Sequence, residues 1–249
     1  MKLGLEGQVA LVTGGSRGIG AAIALEFARQ GCDVALTCRG RLADAQAVAA
    51  RVEALGRRAL AVQTDVADLA AAEGTVGRVV NELGRLDILV CNAGITWDGV
   101  IWKMTEEQWD AVIDTNLKGY FTYNRAAAQV FKEQRRGKIV NVSSINGMRG
   151  KFAQSNYAAA KGGNIALTKT LARELGKFDV NVNAVAPGLV MTELAANMPQ
   201  EFLNKAMNET VLGRIATAEE VAYVVVFLCS EFARHITGEV IKIDGGQYI

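Results

Sequence analysis

The chain has 249 residues, half of them hydrophobic, with 27 basic and 26 acidic side chains for a formal net charge of +1. That balance leaves no electrostatic footprint for nucleic acid. No uncharged apolar run reaches the ~18 residues of a membrane span, and the sole histidine, His235, stands apart from any cysteine or carboxylate cluster, which argues against a metal site and against a histidine-based triad.

Four cysteines, Cys32, Cys38, Cys91 and Cys229, share no C-x-x-C spacing and read as free thiols of a reducing compartment. The N-terminus runs straight into a strand without signal-peptide character, so a cytoplasmic protein is expected. No composition shift or Pro/Gly/Ser-rich linker divides the chain, and one domain over 1–249 is expected.

Residues 9–13 form a short apolar run that predicts the first strand. It ends in Thr13-Gly-Gly-Ser-Arg-Gly-Ile-Gly20. Glycines at 14, 18 and 20 permit a tight turn, close backbone approach and helix–strand packing. The N–H groups that open the next helix, 19–30, then suit an anionic pyrophosphate. The spacing departs from G-x-G-x-x-G, and a ligand-free turn is the alternative. Its place between strand and helix favours binding, with Gly14, Ser16, Arg17, Gly18, Ile19 and Gly20 as the candidate contacts.

Strand two, 33–38, closes Leu36-Thr-Cys38 and is followed by Arg39. An NAD site would carry an acid here for the ribose 2′-OH. The acid is missing, and Arg17 is a second guanidinium nearby. Guanidinium groups suit bidentate phosphate contacts, so NADP(H) is predicted, its 2′-phosphate on Arg39 and Arg17. Solvated surface arginines are the alternative.

The pattern continues with a helix at 41–55, a strand at 59–64, a helix at 69–83 and a strand at 88–92. A long helical region follows at 105–132, N-capped by Thr105. A strand at 138–143, a helix at 155–175 and a strand at 180–186 come next. A short helix at 199–208, a long one at 218–230 and a strand at 240–244 complete the chain. Such β-α-β alternation predicts an α/β fold, a doubly wound, seven-stranded parallel sheet of Rossmann-like form, with ligands bound outside the carboxyl ends of the strands.

Tyr157 and Lys161 lie four residues apart on one helical face. A cation beside a phenol favours the phenolate and lowers a pKa that is ordinarily near ~10. So tuned, Tyr157 is a candidate general acid/base. A packed tyrosine beside a solvated lysine is the alternative.

Taken together, these motifs resemble those of the short-chain dehydrogenase/reductase family. Thr13-Gly-x-x-x-Gly-x-Gly20, Asn92-Ala93-Gly94, Asn116 in Thr115-Asn-Leu-Lys, Ser144, Tyr157-x-x-x-Lys161, and Pro187-Gly188 with Thr192 all match, and the match spans essentially the whole chain. Within the family the chain is similar to the 3-oxoacyl-thioester reductases of the acyl-carrier-protein and CoA types. Secondary-alcohol dehydrogenases acting on small or aromatic ketones share the scaffold and stay open as the alternative.

The resemblance implies hydride transfer between a nicotinamide and a carbonyl carbon. It assigns Tyr157 as proton donor and Lys161 as the group that lowers its pKa and binds the ribose. Ser144 would be a hydrogen-bond donor to the carbonyl oxygen, and Asn116 the holder of a relay water. It also places Asp65 and Val66 at the adenine, and Asn92, Ala93 and Gly94 at the adenosine ribose. Pro187, Gly188, Val190 and Thr192 would lie at the nicotinamide. From the residues alone, Asp65 caps the next helix equally well, and Asn116 reads equally as an exposed polar residue.

Residues 191–211, with Leu194, Met198, Phe202, Leu203 and Met207, read as an apolar substrate lid. Trp97 and Trp102 would form the opposite wall. A carrier-protein partner calls for basic residues beside the site entrance. Arg135 and Arg136 offer them on one side, whereas Lys177-Phe178-Asp179 offers a single lysine on the other, so CoA thioesters and free ketones stay open as substrates. The family also implies a homotetramer.

Overall fold

The computed structural model describes residues 3–196 and 198–249, apart from the side chain of Leu194. Elements alternate along the chain: β1 (Val9–Val12), α1 (Gly18–Arg29), β2 (Asp33–Cys38), α2 (Leu42–Ala54), β3 (Ala59–Gln63), α3 (Leu69–Leu83), β4 (Ile88–Cys91) and α4 (Glu106–Ile113). After a π turn (Asp114–Lys118) come α5 (Gly119–Gln134), β5 (Gly137–Val142), α6 (Asn146–Arg149), α7 (Ser155–Leu175) and β6 (Val180–Pro187). The last stretch holds β7 (Val190–Met191), α8 (Glu193–Ala196), α9 (Gln200–Asn208), β8 (Ala216–Thr217), α10 (Ala218–Cys229) and β9 (Val240–Ile243).

Seven strands form one parallel sheet in the order β3-β2-β1-β4-β5-β6-β9. The predicted doubly wound fold is therefore present. Side chains alternate across the strands. Ala10 and Val12 point to one face, where Ile23, Phe27, Val52 and Val225 of α1, α2 and α10 cover them. Val9 and Leu11 point to the other, under Val76, Val79, Tyr123, Phe131 and Leu175 of α3, α5 and α7. Two apolar layers thus sandwich a sheet that is hydrophobic on both sides, as parallel sheets require.

A buried polar chain ties the second layer together. Asn124 donates to Asn141 (3.0 Å), Asn141 to Thr168 (3.0 Å), Thr168 to the carbonyl of Asn164 (2.8 Å), and Asn164 to the carbonyl of Asn116 (2.8 Å). It fixes α5 and α7 on β5 in one register.

The structure departs from the sequence reading at three places. The predicted helix 105–132 is two helices joined by the π turn around Asn116, and its second part continues to Gln134. Thr105 caps α4 through a capping box with Gln108, as the sequence predicts. The segment before α10 contributes β8, which pairs in parallel with β7, a ribbon too short to leave a period-2 signal. Pro187, predicted to follow strand six, is its last residue.

Candidate active site

A cleft of about 1530 Å³ opens at the carboxyl ends of the strands, where β1 and β4 are adjacent and the winding reverses. It exceeds the ~300–1,000 Å³ typical of one small ligand, which leaves room for a dinucleotide and a substrate together.

The glycine-rich turn forms one wall. Gly14 and Gly15 donate to Thr37 of β2 (3.3 and 2.9 Å). Asn92 braces the other side, its amide donating to the carbonyls of Thr13 (3.0 Å) and Gly14 (3.1 Å). The hydroxyl of Thr13 accepts from the N–H groups of Asn92 (2.9 Å) and Ala93 (3.1 Å). Side chains cannot fit here. A Cβ on Gly20 would stand 2.2 Å from the carbonyl oxygen of Gly14, and one on Gly14 (φ 65°) 2.8 Å from Cα of Ala93. α1 opens with no side-chain cap at Arg17, so its first-turn N–H groups face a cleft lined by Ser16, Arg17, Gly18 and Ile19. That arrangement fits a pyrophosphate. Thr13 was missed from sequence, although its place at the strand end was the available signal.

The end of the cleft beside β2 and β3 is lined by Thr37, Cys38, Arg39, Asp65 and Val66. No acid stands at the end of β2. Arg39 reaches Asp65 instead, Nε to Oδ2 3.4 Å, with the two side chains 73% and 46% exposed. Such an exposed pair is weak. Arg17 lines the same cleft and is exposed. Asp65 is not the helix cap that the residues alone allowed: Asp68 caps α3 by accepting from Ala71 (3.1 Å), while Asp65 accepts from Ala67 in the preceding turn (2.9 Å).

Ser144, Tyr157 and Lys161 come together at the cleft floor. Ser144 follows β5, its oxygen accepting from the N–H of Asn146 (3.2 Å). Tyr157 stands in the first turn of α7. Burial pushes its phenol up to about 12, the hydrogen bond with Ser144 pulls it down, and Asp98 pushes it up. The phenol is thus raised, against the lowering that the spacing suggested, and Lys161 is not among the groups that shift it. Burial brings Lys161 down to about 7. Its Nζ lies 5.7 Å from the Tyr157 ring centroid and donates to the Tyr120 hydroxyl (3.0 Å) and the Val142 carbonyl (2.7 Å). The Ser143 hydroxyl donates to the carbonyl of Lys161 (2.7 Å), fastening α7 to the end of β5.

Asn116 is neither exposed nor on the cleft wall. It is fully buried, and its side chain clasps the backbone of Ile95, accepting from the N–H (2.8 Å) and donating to the carbonyl (2.8 Å). Asn116 thus stands behind Gly94 and Ile95, which do line the cleft with Asn92 and Ala93. Its own carbonyl accepts from Asn164 (2.8 Å).

Pro187, Gly188, Val190 and Thr192 line the far wall. The Ile145 N–H donates to the Pro187 carbonyl (3.1 Å) and Gly188 donates to Ile243 (3.1 Å). Beyond them, Met198, Phe202, Lys205 and Ala206 reach the cleft, whereas Leu203 is buried and Met207 is outside the wall. Asn197 and the side chain of Leu194, both within the predicted lid, lie outside the described residues. Trp97 and Trp102 are exposed and do not line the cleft, contrary to expectation. Asp98, Phe152 and Gln154 do. Gln154 donates to both oxygens of Asp98 (3.2 and 3.0 Å) and accepts from Asn146 (3.1 Å). These side chains were missed because no spacing rule singles them out.

The basic cluster is one patch. Lys132, Arg135 and Lys177 surround the Phe178 ring at 5.9, 5.8 and 5.2 Å, and Arg135 donates to the carbonyl of Lys177 (3.2 Å). It lies past the end of α7, about 30 Å along the helix axis from Tyr157. Within one chain it therefore does not flank the cleft. Among the described residues no helix is long and apolar enough to cross a membrane, and no group of three or more His, Cys, Asp or Glu side chains could hold a metal ion.

The family model described as enoyl-(acyl carrier protein) reductase matches residues 14–247. A 3-oxoacyl-[acyl-carrier-protein] reductase of Staphylococcus aureus is 42% identical over 240 residues, covering 96% of this chain and 98% of the relative. An acetoacetyl-CoA reductase of Shinella zoogloeoides is 42% identical over 243 residues, covering 97% and 98%. A crystal structure described as a short-chain alcohol dehydrogenase of Sinorhizobium meliloti superposes with a TM-score of 0.95 at 36% identity, over 99% of this chain and 98% of that one. With the glycine turn, Asn92-Ala93-Gly94 and the Ser144–Tyr157–Lys161 floor gathered around one cleft, this chain belongs to the short-chain dehydrogenase/reductase family of oxidoreductases.

Proposed function

We propose that the chain reduces a 3-oxoacyl thioester to the 3-hydroxyacyl thioester with NADPH. The observation that carries this reading is a buried phenol beside a serine hydroxyl, on the floor of a cleft whose other wall is a glycine-rich helix start with no side-chain cap. A nicotinamide bound between the glycine turn and this floor would supply the hydride to the carbonyl carbon. Tyr157 then gives its proton to the developing alkoxide, and Ser144 donates a hydrogen bond to the same oxygen. At neutral pH the phenol keeps its proton, which suits the reductive direction. The Lys161 ammonium behind it stabilises the phenolate left by that transfer.

Gly14, Gly18 and Gly20 admit the pyrophosphate, Arg39 and Arg17 take the 2′-phosphate, and Asn116 fixes the Ile95 backbone at the cleft wall. Residues 191–211 act as an apolar lid in which Met198 and Phe202 meet the acyl chain and exclude water. The identity shared with proteins named for 3-oxoacyl-carrier-protein and acetoacetyl-CoA substrates favours a thioester over a simple ketone.

Exposed apolar side chains on α5 and α10, Phe121, Tyr223 and Phe227 among them, support a homotetramer, which light scattering would test. Four buried free thiols suit a reducing, cytoplasmic setting.

A panel of acetoacetyl-CoA, a carrier-protein thioester and a simple ketone, each with NADPH and NADH, tests the reading. Turnover of the thioesters with NADPH and its loss in Tyr157→Phe are expected. Turnover of the ketone alone, or an active Tyr157→Phe, would overturn it.

A further inference from the structure

The catalytic floor has a second phenol that no motif points to. Tyr120 is buried in α5 at 1% exposure, outside the cleft. Its hydroxyl donates to the Val142 carbonyl (2.8 Å) and accepts from Nζ of Lys161 (3.0 Å), while Nζ also donates to Val142 (2.7 Å). Its ring lies 4.8 Å from the same nitrogen. The three groups close a triangle in which the single phenolic proton is committed to Val142, so the phenol oxygen presents lone pairs to the lysine.

We infer that Tyr120 is a positioning residue for Lys161, holding its ammonium by a hydrogen bond and by the ring face so that one N–H is left for the cleft. The inference rests on the roles proposed above for Lys161 and Tyr157. An ammonium has three donors. Tyr120 and Val142 take two of them and set the direction of the third. The groups facing Lys161 from the packed elements are Cys91 of β4, Tyr120 of α5 and Tyr157 of α7. None is a carboxylate, and burial pushes all three above their ordinary values, so they stay neutral. In such surroundings a neutral acceptor and a ring quadrupole are what favour the charged lysine. The π turn supplies the placement: Tyr120 lies two residues after it, on the face turned toward β5.

The test is Tyr120→Phe, which keeps the ring and removes the hydroxyl, and with it the acceptor for Lys161 and the donor to Val142. The pH dependence of kcat and kcat/KM is measured with NADPH and whichever carbonyl substrate of the panel is turned over. Near pH 6, where Lys161 is still at least about half protonated in both proteins, rates within about twofold of the parent are expected, whereas the alkaline limb moves down by roughly half to one pH unit. Near pH 8 the rate is then about three- to tenfold lower, with KM for the carbonyl substrate unchanged. Should the phenylalanine variant fold poorly, Tyr120→Leu serves instead; it removes the ring face as well, so its alkaline limb moves at least as far. A profile that superposes on the parent, or an equal loss at every pH, would overturn the inference and mark Tyr120 as packing only. An active Tyr157→Phe would instead overturn the proposed function, so the two failures are distinguishable.

Discussion

Replacing Asn116 by alanine tests whether this residue acts by structure or by touching reactants. The side chain makes two hydrogen bonds, both 2.8 Å, to the N–H and carbonyl of Ile95. Alanine leaves both backbone groups without a partner. An unsatisfied buried group costs about 1–3 kcal/mol. Ile95 is half-buried, so water restores part of that, and a net loss of roughly 2–4 kcal/mol is expected. At about 2–4 °C per kcal/mol for a chain of this size, the thermal midpoint should fall by roughly 4–16 °C. The loop that loses its clasp lines the cleft with Asn92, Ala93 and Gly94, so KM for the cofactor should rise as well. Thermal unfolding by circular dichroism and initial rates with NADPH measure the two effects. A midpoint within about one degree of the parent would refute the clasp. A normal midpoint with lost kcat would show that Asn116 acts on the chemistry instead.

Arg39→Ala should raise KM for NADPH about tenfold, the worth of one charge-assisted bond less its weak contact with Asp65, and leave KM for NADH nearly unchanged; an unaltered preference would argue against a 2′-phosphate site. Lys161 should make stability depend on pH. Its folded value, about 7, lies below its ordinary 10.5, so the unfolded chain binds more protons between these limits and stability rises with pH across that window. Denaturant unfolding of the parent and of Lys161→Met from pH 7 to 9 should therefore show the parent gaining on the variant, whereas parallel curves would contradict the burial of a titrating amine. Phe202→Ala, at an exposed position of α9 on the cleft, should raise KM more for long acyl thioesters than for acetoacetyl-CoA, with little change in thermal midpoint; equal effects on both would deny contact with the chain.

Most of the fold was legible because its signals are local. Apolar runs of four to eight residues gave the strands, and the helices between them closed at glycines, as at Gly84 with φ 89°. The predicted span of α7 agrees at both ends. The glycine-rich turn was legible for the same reason: the positions of Gly14, Gly18 and Gly20 follow from what a turn can tolerate. What escaped depends on tertiary contact. The spacing of Tyr157 and Lys161 shows that they share a face. It does not show that burial outweighs their mutual charge, or that Nζ turns to Tyr120. Asn116 was visible as an odd residue within a helix, yet its partner lies 21 positions earlier in the chain. Trp97 and Trp102 were assigned by size, whereas Asp98, Phe152 and Gln154, whose neighbours no periodicity reveals, occupy that wall.

The π turn at Asp114–Lys118 also sets the phase of everything after it. A π turn inserts one residue into an α-helical path, and each residue of an α-helix advances the side-chain direction by about 100°. Rewinding the same residues as a regular α-helix, with no wide turn to absorb the extra one, would rotate one half against the other. Asn116 and Tyr120 could then no longer both face inward, one at Ile95 and the other at Lys161. A homologous chain with a single-residue gap here would keep both inward faces on a regular helix, so such a gap reads as loss of the wide turn and not as loss of the support of the lysine.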